Sequence, residues 1–455
     1  MFTDVSDLFV YNPPMLGYGV AVSDVDGDGR FEFFVAGFGF PNRVLAWDGD
    51  RLVDRYDPLL AASNRQAIGV AAADMDGDGR EEIYILNTDT FLGAKKFGDN
   101  LFAFRGGTWH DLFTSPANHH SVNLVAGRSV CATDRFGTGR YSFVVANYGG
   151  PFRLYETNGL DELHDAAEDA GIALITGGRA LVSLPLISPP GTMDIFAANE
   201  NGANFLFVND GDGTYTDQAE ALGLADPHEN GRGIAAFDAD NNGKFDLCVG
   251  NWQGEHRLFL QTLLGGFMDG ATAEMARPST VRTVIAADFD NDGYEEIFFN
   301  NIGERNRLFA WRNGEWQRVS IGEAEEAGDL GTGAAVADID DDGRLELLVS
   351  HGEQGAQPLT LYKPDANDNA YLRVLPLTKG GAPARGAVVT LQTRTRIQRR
   401  VIDAGSGYLC QMEPVAHFGL GTETEVESIS VIFPGGATVT IDHPKERQTL
   451  RVPHP

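Results

Sequence analysis

The chain has 455 residues, 42% of them hydrophobic, and a formal net charge of −30 from 65 Asp+Glu against 35 Lys+Arg. That length buries a large core with no disordered tract, and the acidity excludes nucleic acid as a partner, because phosphate binding needs a basic stripe. No apolar stretch reaches the roughly 18 residues of a membrane span.

In chain order, FTDV at residues 2–5 reads as an opening strand, and the chain then settles into a repeat. An apolar run at residues 19–22 leads into the acidic loop DVDGDGRFE from Asp24, and the loop returns as DMDGDGREE from Asp74, DADNNGKFD from Asp238, DFDNDGYEE from Asp288 and DIDDDGRLE from Asp338. Successive copies start 50 residues apart, except that 164 residues separate Asp74 from Asp238, room for two more repeats.

Oxygen donors alternate along each loop. They are Asp24, Asp26, Asp28 and Glu32; Asp74, Asp76, Asp78 and Glu82; Asp238, Asp240, Asn242 and Asp246; Asp288, Asp290, Asp292 and Glu296; and Asp338, Asp340, Asp342 and Glu346. The backbone carbonyls of Arg30, Arg80, Lys244, Tyr294 and Arg344, at the seventh position, are expected to complete each set. Calcium takes six to eight hard oxygen ligands at roughly 2.3–2.6 Å, and alternate side chains converge on one ion only where glycine permits a sharp turn. Gly29, Gly79, Gly243, Gly293 and Gly343 hold that sixth position. The last acid comes at the ninth position, too early for a helical EF-hand loop, whose bidentate Glu comes at the twelfth. A β-hairpin is therefore the expected host, and about five calcium ions the expected cofactor. Those ions would bring the net charge from −30 to about −20.

Each loop is flanked by short runs rich in Val, Ile and Phe, as at residues 83–86 and 345–349, which read as strands. Two further strands per repeat, such as residues 307–311 and 316–320, make a four-stranded propeller blade. The gap holds two degraded copies. DRFGTGRYS from Asp134 keeps the turn glycine and the following strand, and residues 183–196 keep only the strand pattern, with Asp194 near the ninth position. The fold class is thus all-β: a seven-bladed β-propeller over residues 1–365, closed by the N-terminal strand, followed by a small β-sandwich or barrel domain. A polar linker at residues 364–369 precedes this domain, whose strands are expected at residues 371–375, 387–393, 397–402, 428–433, 437–441 and 449–452. Residues 371–455 carry ten Lys+Arg against seven Asp+Glu, so docking of this positive domain on the acidic propeller is expected. Cys131, Cys248 and Cys410 are far apart and odd in number, and read as free core thiols.

These motifs carry a family resemblance. YGVAVSDVDGDGRFEFFVAG and RGIAAFDADNNGKFDLCVGN resemble FG-GAP (VCBS-type) repeats of integrin-like propellers, and ARGAVV, GSGYL, HFGLG and IFPGG in the tail are similar to the ASPIC/UnbV domain. The ordered pair resembles the cartilage acidic protein family, here of bacterial type. The departures are the ligand-poor third and fourth repeats and Phe433 where the pattern has Trp. The resemblance implies an extracytoplasmic, calcium-dependent adhesion or recognition role. The sequence shows no secretory leader, and a cytoplasmic location is the alternative expectation.

Opposite the calcium loops, Arg128, Arg179, Arg232 and Arg282 begin the first strand of four consecutive repeats, and Asn87, Asn147, Asn199, Asn251 and Asn301 end the second strand of five. A ring of arginines and amides at the channel mouth would hold an anionic ligand or an acidic side chain of a partner. Alternatively each arginine pairs with a carbonyl or acid of a neighbouring blade. His119, His120 and His228 have no partner at metal-ligand spacing, His417 reads as structural, and no nucleophile-elbow or P-loop motif appears. Two functions follow. One is a non-enzymatic, calcium-stabilised scaffold for a protein or glycan ligand; the other is a polysaccharide-lyase-like enzyme using the channel, which needs a base beside the arginines.

Overall fold

The computed structural model describes residues 1–159 and 161–455. The repeats form seven four-stranded antiparallel blades. The first is Gly17–Ser23, Glu32–Gly37, Arg43–Trp47 and Leu52–Asp54. The seventh consists of Gly331–Ala337, Glu346–His351 and Thr360–Pro364, completed by Phe2–Asp4, with Phe2 opposite Pro364 and Asp4 opposite Tyr362. Joining the two ends of the propeller in one sheet leaves no open edge in the ring. The first strands of successive blades adjoin one another around a central channel.

Second strands are sandwiched between neighbouring blades, so both faces are apolar and the period-two alternation disappears. All six residues of Glu32–Gly37 are buried, as are all six of Glu296–Asn301. Each fully buried Phe or Val there stabilises by about 1.5–3 kcal/mol. The third and fourth blades depart from the pattern. Ser142–Pro151 runs on past its own blade and pairs with Ile175–Leu184, so the two blades share one continuous sheet.

The C-terminal domain is a sandwich rather than a barrel. Ala416–Gly421, Ala370–Leu377 and Thr449–Pro453 form one sheet, and Ile397–Val401, Val388–Thr393, Val426–Ile432 and Thr438–Asp442 form the other, with no strand common to both. Leu372, Val374, Phe418, Val389, Leu391 and Val431 fill the space between them. The strand Ala416–Gly421 was absent from the sequence expectation, because Gly419 and Gly421 punctuate its apolar run as a turn would.

This domain sits on the face of the propeller that carries the acidic loops. Arg385, fully buried, donates to both carboxylate oxygens of Glu81 at 2.6 and 3.1 Å. Arg373 bridges Asp338 and Glu413, and Arg400 lies 3.3 Å from Glu295. From the same domain, residues 403–413 enter the channel. Ala132 N–H donates to Ala404, Gly407 and Ile234 exchange two backbone hydrogen bonds, and Gln411 bonds Val20 and Val22 through its backbone and Ala72 through its amide. Glycines in the first strands make the room: a Cβ on Gly19 would fall 2.0 Å from the Leu409 carbonyl oxygen.

Candidate metal centres and the channel mouth

Every one of the five acidic loops closes on itself by the same hydrogen bonds. The first-position carboxylate accepts from the sixth-position glycine N–H, at 2.9 Å for Asp24, 3.0 Å for Asp74 and Asp238, 2.8 Å for Asp288 and 2.9 Å for Asp338. The ninth-position acid reaches back to the second backbone N–H, as from Val25 to Glu32 at 2.7 Å and from Ala239 to Asp246 at 2.8 Å. Glu82, Glu296 and Glu346 accept likewise from Met75, Phe289 and Ile339. The fifth residue accepts from the N–H of the seventh, at 2.8–3.0 Å across Asp28, Asp78, Asn242, Asp292 and Asp342. The turn requires a positive φ at the sixth position, +89° at Gly29 and +94° at Gly79 and Gly293, which suits glycine.

Three carboxylates of each loop converge, while the expected donors Asp28, Glu82, Asp292 and Asp342 fall outside these groups. Within each set, one ligand atom per residue lies within 4.8 Å of the others: Asp24, Asp26 and Glu32; Asp74, Asp76 and Asp78; Asp238, Asp240 and Asp246; Asp288, Asp290 and Glu296; Asp338, Asp340 and Glu346. Five acidic groups are thus placed to hold a metal ion. The side chains of Arg30, Arg80 and Lys244 leave their own loops for Asp341 and the carbonyls of Val25 and Thr262, while Arg344 pairs with the fifth-position Asp342 of its own loop, so the oxygen that each of the four offers is its backbone carbonyl. Tyr294 contributes its N–H to the turn.

Carboxylates crowded together out of water resist ionisation. Burial and the nearby Asp26 push Glu32 up to about 8, and burial and Asp76 do the same to Glu82. Burial pushes Asp246 up to about 7 and Asp288 to about 8. A divalent cation answers that penalty directly, and hard carboxylate donors are the set that calcium selects. In three blades a cation from the third strand already leans into the cluster: Arg105 beside Asp76, Asp78 and Glu82; Arg312 beside Asp290, Asp292 and Glu296; Lys363 beside Asp340, Asp342 and Glu346. Asp340 still keeps one buried oxygen, Oδ1, with no hydrogen-bond partner among the described residues.

The degraded repeats keep the turn without the donor set. Asp134 accepts from Gly139 at 2.6 Å, but Phe136, Thr138 and Ser142 stand at the third, fifth and ninth positions. Asp194 accepts from Ile187 and Ser188, the hydrogen bond that a ninth-position acid makes elsewhere.

At the other end of the channel the first hairpin of every blade carries a register shift. A bulge re-aims the extra residue, and the residues within those shifts line the mouth: Arg128, Arg179, Arg232 and Arg282 on four successive blades, and Tyr18, Ile68 and Thr332 on the other three. The structure therefore gathers all four arginines around one cavity of about 580 Å³. The asparagines do not join them. Asn147, Asn199, Asn251 and Asn301 spend their amides on the carbonyls of Pro151, Ala203, Glu255 and Arg305, four residues on, and so brace the turn into the third strand. His417, buried, bonds Asn291 at 2.6 Å and stacks on Tyr371, a bridge between the domains.

Sequence reasoning missed Tyr408. It lies at the tip of the inserted segment and floors the arginine cavity, after travelling the length of the channel from the opposite face. Burial resists ionisation of its hydroxyl, but Arg179, Arg232, Arg282 and Arg128 together outweigh burial and bring it down to about 8. One tyrosine is therefore expected to titrate near pH 8 in near-ultraviolet absorbance, and Tyr408→Phe to remove that step. Because the folded value lies below the ordinary value of about 10, the stability it contributes is fully present above pH 10 and is lost as pH falls through 8. A step near pH 8 that persists in the variant would contradict the assignment.

Residues 377–455 match the family described as ASPIC and UnbV, and residues 15–85, 191–249, 240–299 and 288–349 match the FG-GAP-like repeat. Cartilage acidic protein 1 of Xenopus tropicalis is 46% identical over 483 residues, spanning 97% of this chain and 74% of its own length. The Homo sapiens protein of that name is 46% identical over 495 residues, spanning 98% of this chain and 75% of its own. The BP39L lectin from Burkholderia pseudomallei superposes with a TM-score of 0.51 at 14% identity, covering 78% of this chain and 98% of that one, a likeness of fold alone.

Proposed function

Since the chain belongs to the cartilage acidic protein 1 family, an FG-GAP-like propeller joined to an ASPIC and UnbV domain, we propose that it is a calcium-stabilised, non-enzymatic scaffold. It recognises a protein or glycan on the propeller face opposite the metal loops. The observation that carries this reading is the convergence of carboxylates in five in-phase loops with one shared hydrogen-bonding pattern. Bound calcium would hold each hairpin, and through Asp288, whose Oδ2 accepts from Gly419 N–H at 3.0 Å, and Asp338, which meets Arg373 at 3.0 Å, it would stiffen the seat of the C-terminal domain. The loops lie in separate blades, so the sites should fill independently. Asp290→Ala is expected to lower the calcium stoichiometry by one and leave the other four sites filled, as counted by equilibrium dialysis. Loss of all bound calcium in that variant would contradict the reading.

One observation favours a lyase-like enzyme as the second reading: Tyr408 supplies, among four arginines, the titratable group that proton abstraction from a uronate requires. Incubation with polyuronates separates the two. Unsaturated product absorbance, abolished by Tyr408→Phe, would replace the scaffold reading; binding without turnover supports it.

A further inference from the structure

The channel mouth is divided by charge. Arg128, Arg179, Arg232 and Arg282 occupy one arc, at 2–9% exposure, while Tyr18, Ile68 and Thr332 occupy the other. The guanidiniums are backed by aromatic rings, Arg179 over Tyr148 at 4.5 Å and Arg232 and Arg282 over Trp252 at 5.1 and 4.7 Å, which fix their planes.

Three carboxylates share the cavity, Asp89, Glu200 and Glu353. Glu200 meets Arg179 and Arg232, and Glu353 meets Arg282. Among the described residues Arg128 has no ion-pair partner; it is held by the carbonyls of Thr90 and Phe91. Each guanidinium offers five N–H donors, and the buried Nε of all four has no hydrogen-bond partner among the described residues. A buried unpaired donor is destabilising, and burial also weighs against the charge of Arg179 and Arg232. An incoming oxyanion would answer both, whereas a neutral ligand could accept hydrogen bonds, more weakly, but would leave the charge uncompensated.

The geometry points to a binding site for a small sugar acid: its carboxylate or sulfate group on the arginine arc, its hydroxylated body against Tyr18, Thr332 and Ile68, and Tyr408 of the C-terminal domain as the floor. A cavity of about 580 Å³ is far larger than a bare anion and falls in the ordinary range for small-molecule sites. The site is composite, because the propeller supplies its walls and the inserted segment closes its base. It deepens the recognition reading above and rests on that reading only for which face meets the ligand.

Calorimetric titration of the full, calcium-loaded chain at neutral pH tests it with three probes: D-glucuronate, inorganic sulfate and D-glucose. Glucuronate is expected to bind, sulfate to compete with it, and glucose to give no heat. Arg128→Gln should weaken glucuronate at least tenfold, and Arg128→Lys, which keeps the charge but loses the planar fork, should weaken it several-fold. The second variant stands in if the first does not fold. Calcium stoichiometry should be unchanged in both, which separates failure here from failure of the calcium scaffold. Equal binding of glucose and glucuronate, binding of sulfate without glucuronate, or full affinity in the folded variants would overturn the site.

Discussion

Chelation of the calcium-loaded chain is expected to lower its melting temperature by on the order of 10 °C or more. A ligand bound only by the folded state stabilises it by about 2.7 kcal/mol per site at a hundredfold excess over Kd, and five sites act in parallel. The loss should exceed that of a neutral ligand, because removing the ions leaves clustered carboxylates facing one another, with Glu32, Glu82, Glu346 and Asp288 each pushed up to about 8 chiefly by burial. The first and fifth blades should loosen most: the cation paired with the first cluster, Arg55, stands 4.0 Å from Asp26, and among the described residues none pairs with Asp238, Asp240 or Asp246, since Lys244 turns to the Thr262 carbonyl, whereas Arg105, Arg312 and Lys363 reach directly into their clusters. Hydrogen exchange of residues 24–32 and 288–296 with and without chelator would read that order. Equal protection in both conditions, with no change in melting, would contradict a structural role for the loops.

Arg385→Ala is expected to cost about 3–5 kcal/mol, the range for stranding one partner of a buried ion pair. Its guanidinium has three kinds of partner at once: both oxygens of Glu81, the Asp403 carbonyl at 2.8 Å and the Val22 carbonyl at 3.2 Å. It therefore ties the sandwich to the first two blades at the point where residues 403–413 enter the channel. Without it Glu81 keeps only the Ser23 hydroxyl, at 2.7 Å, as a side-chain partner among the described residues. Melting and protease sensitivity at residues 365–369 should both report the loosened domain, and the uncharged double variant Arg385→Met with Glu81→Gln should recover part of the loss. A cost below about 1 kcal/mol, as for exposed pairs, would show that docking does not depend on this contact.

The propeller was legible because its signal is periodic. The acidic loops recur in phase, the sixth-position glycine marks each turn, and the strand runs to either side fix the blades, so the ring could be counted even where Asp134 and Asp194 are all that remain of a loop's carboxylates. The four arginines were legible for the same reason: they recur at the head of the first strand. What periodicity could not convey is which way a bulge turns a side chain. Asn147, Asn199, Asn251 and Asn301 recur just as regularly, yet their amides close local turns. The channel segment was illegible for a different reason. GSGYL at residues 405–409 marks the family resemblance but not its location, because the partners of this segment, such as Val20 for Gln411 and Ile234 for Gly407, lie far away in the sequence. The signal that was present is the glycine at the channel-lining positions 19, 69, 233 and 333, where the first strands give up a side chain to admit or adjoin another backbone or side chain.

Counting bound calcium by native mass spectrometry tests the central claim most directly. The account predicts five ions on the intact chain, removed by chelator and restored on adding calcium; a chain that carries none at saturating calcium would contradict it.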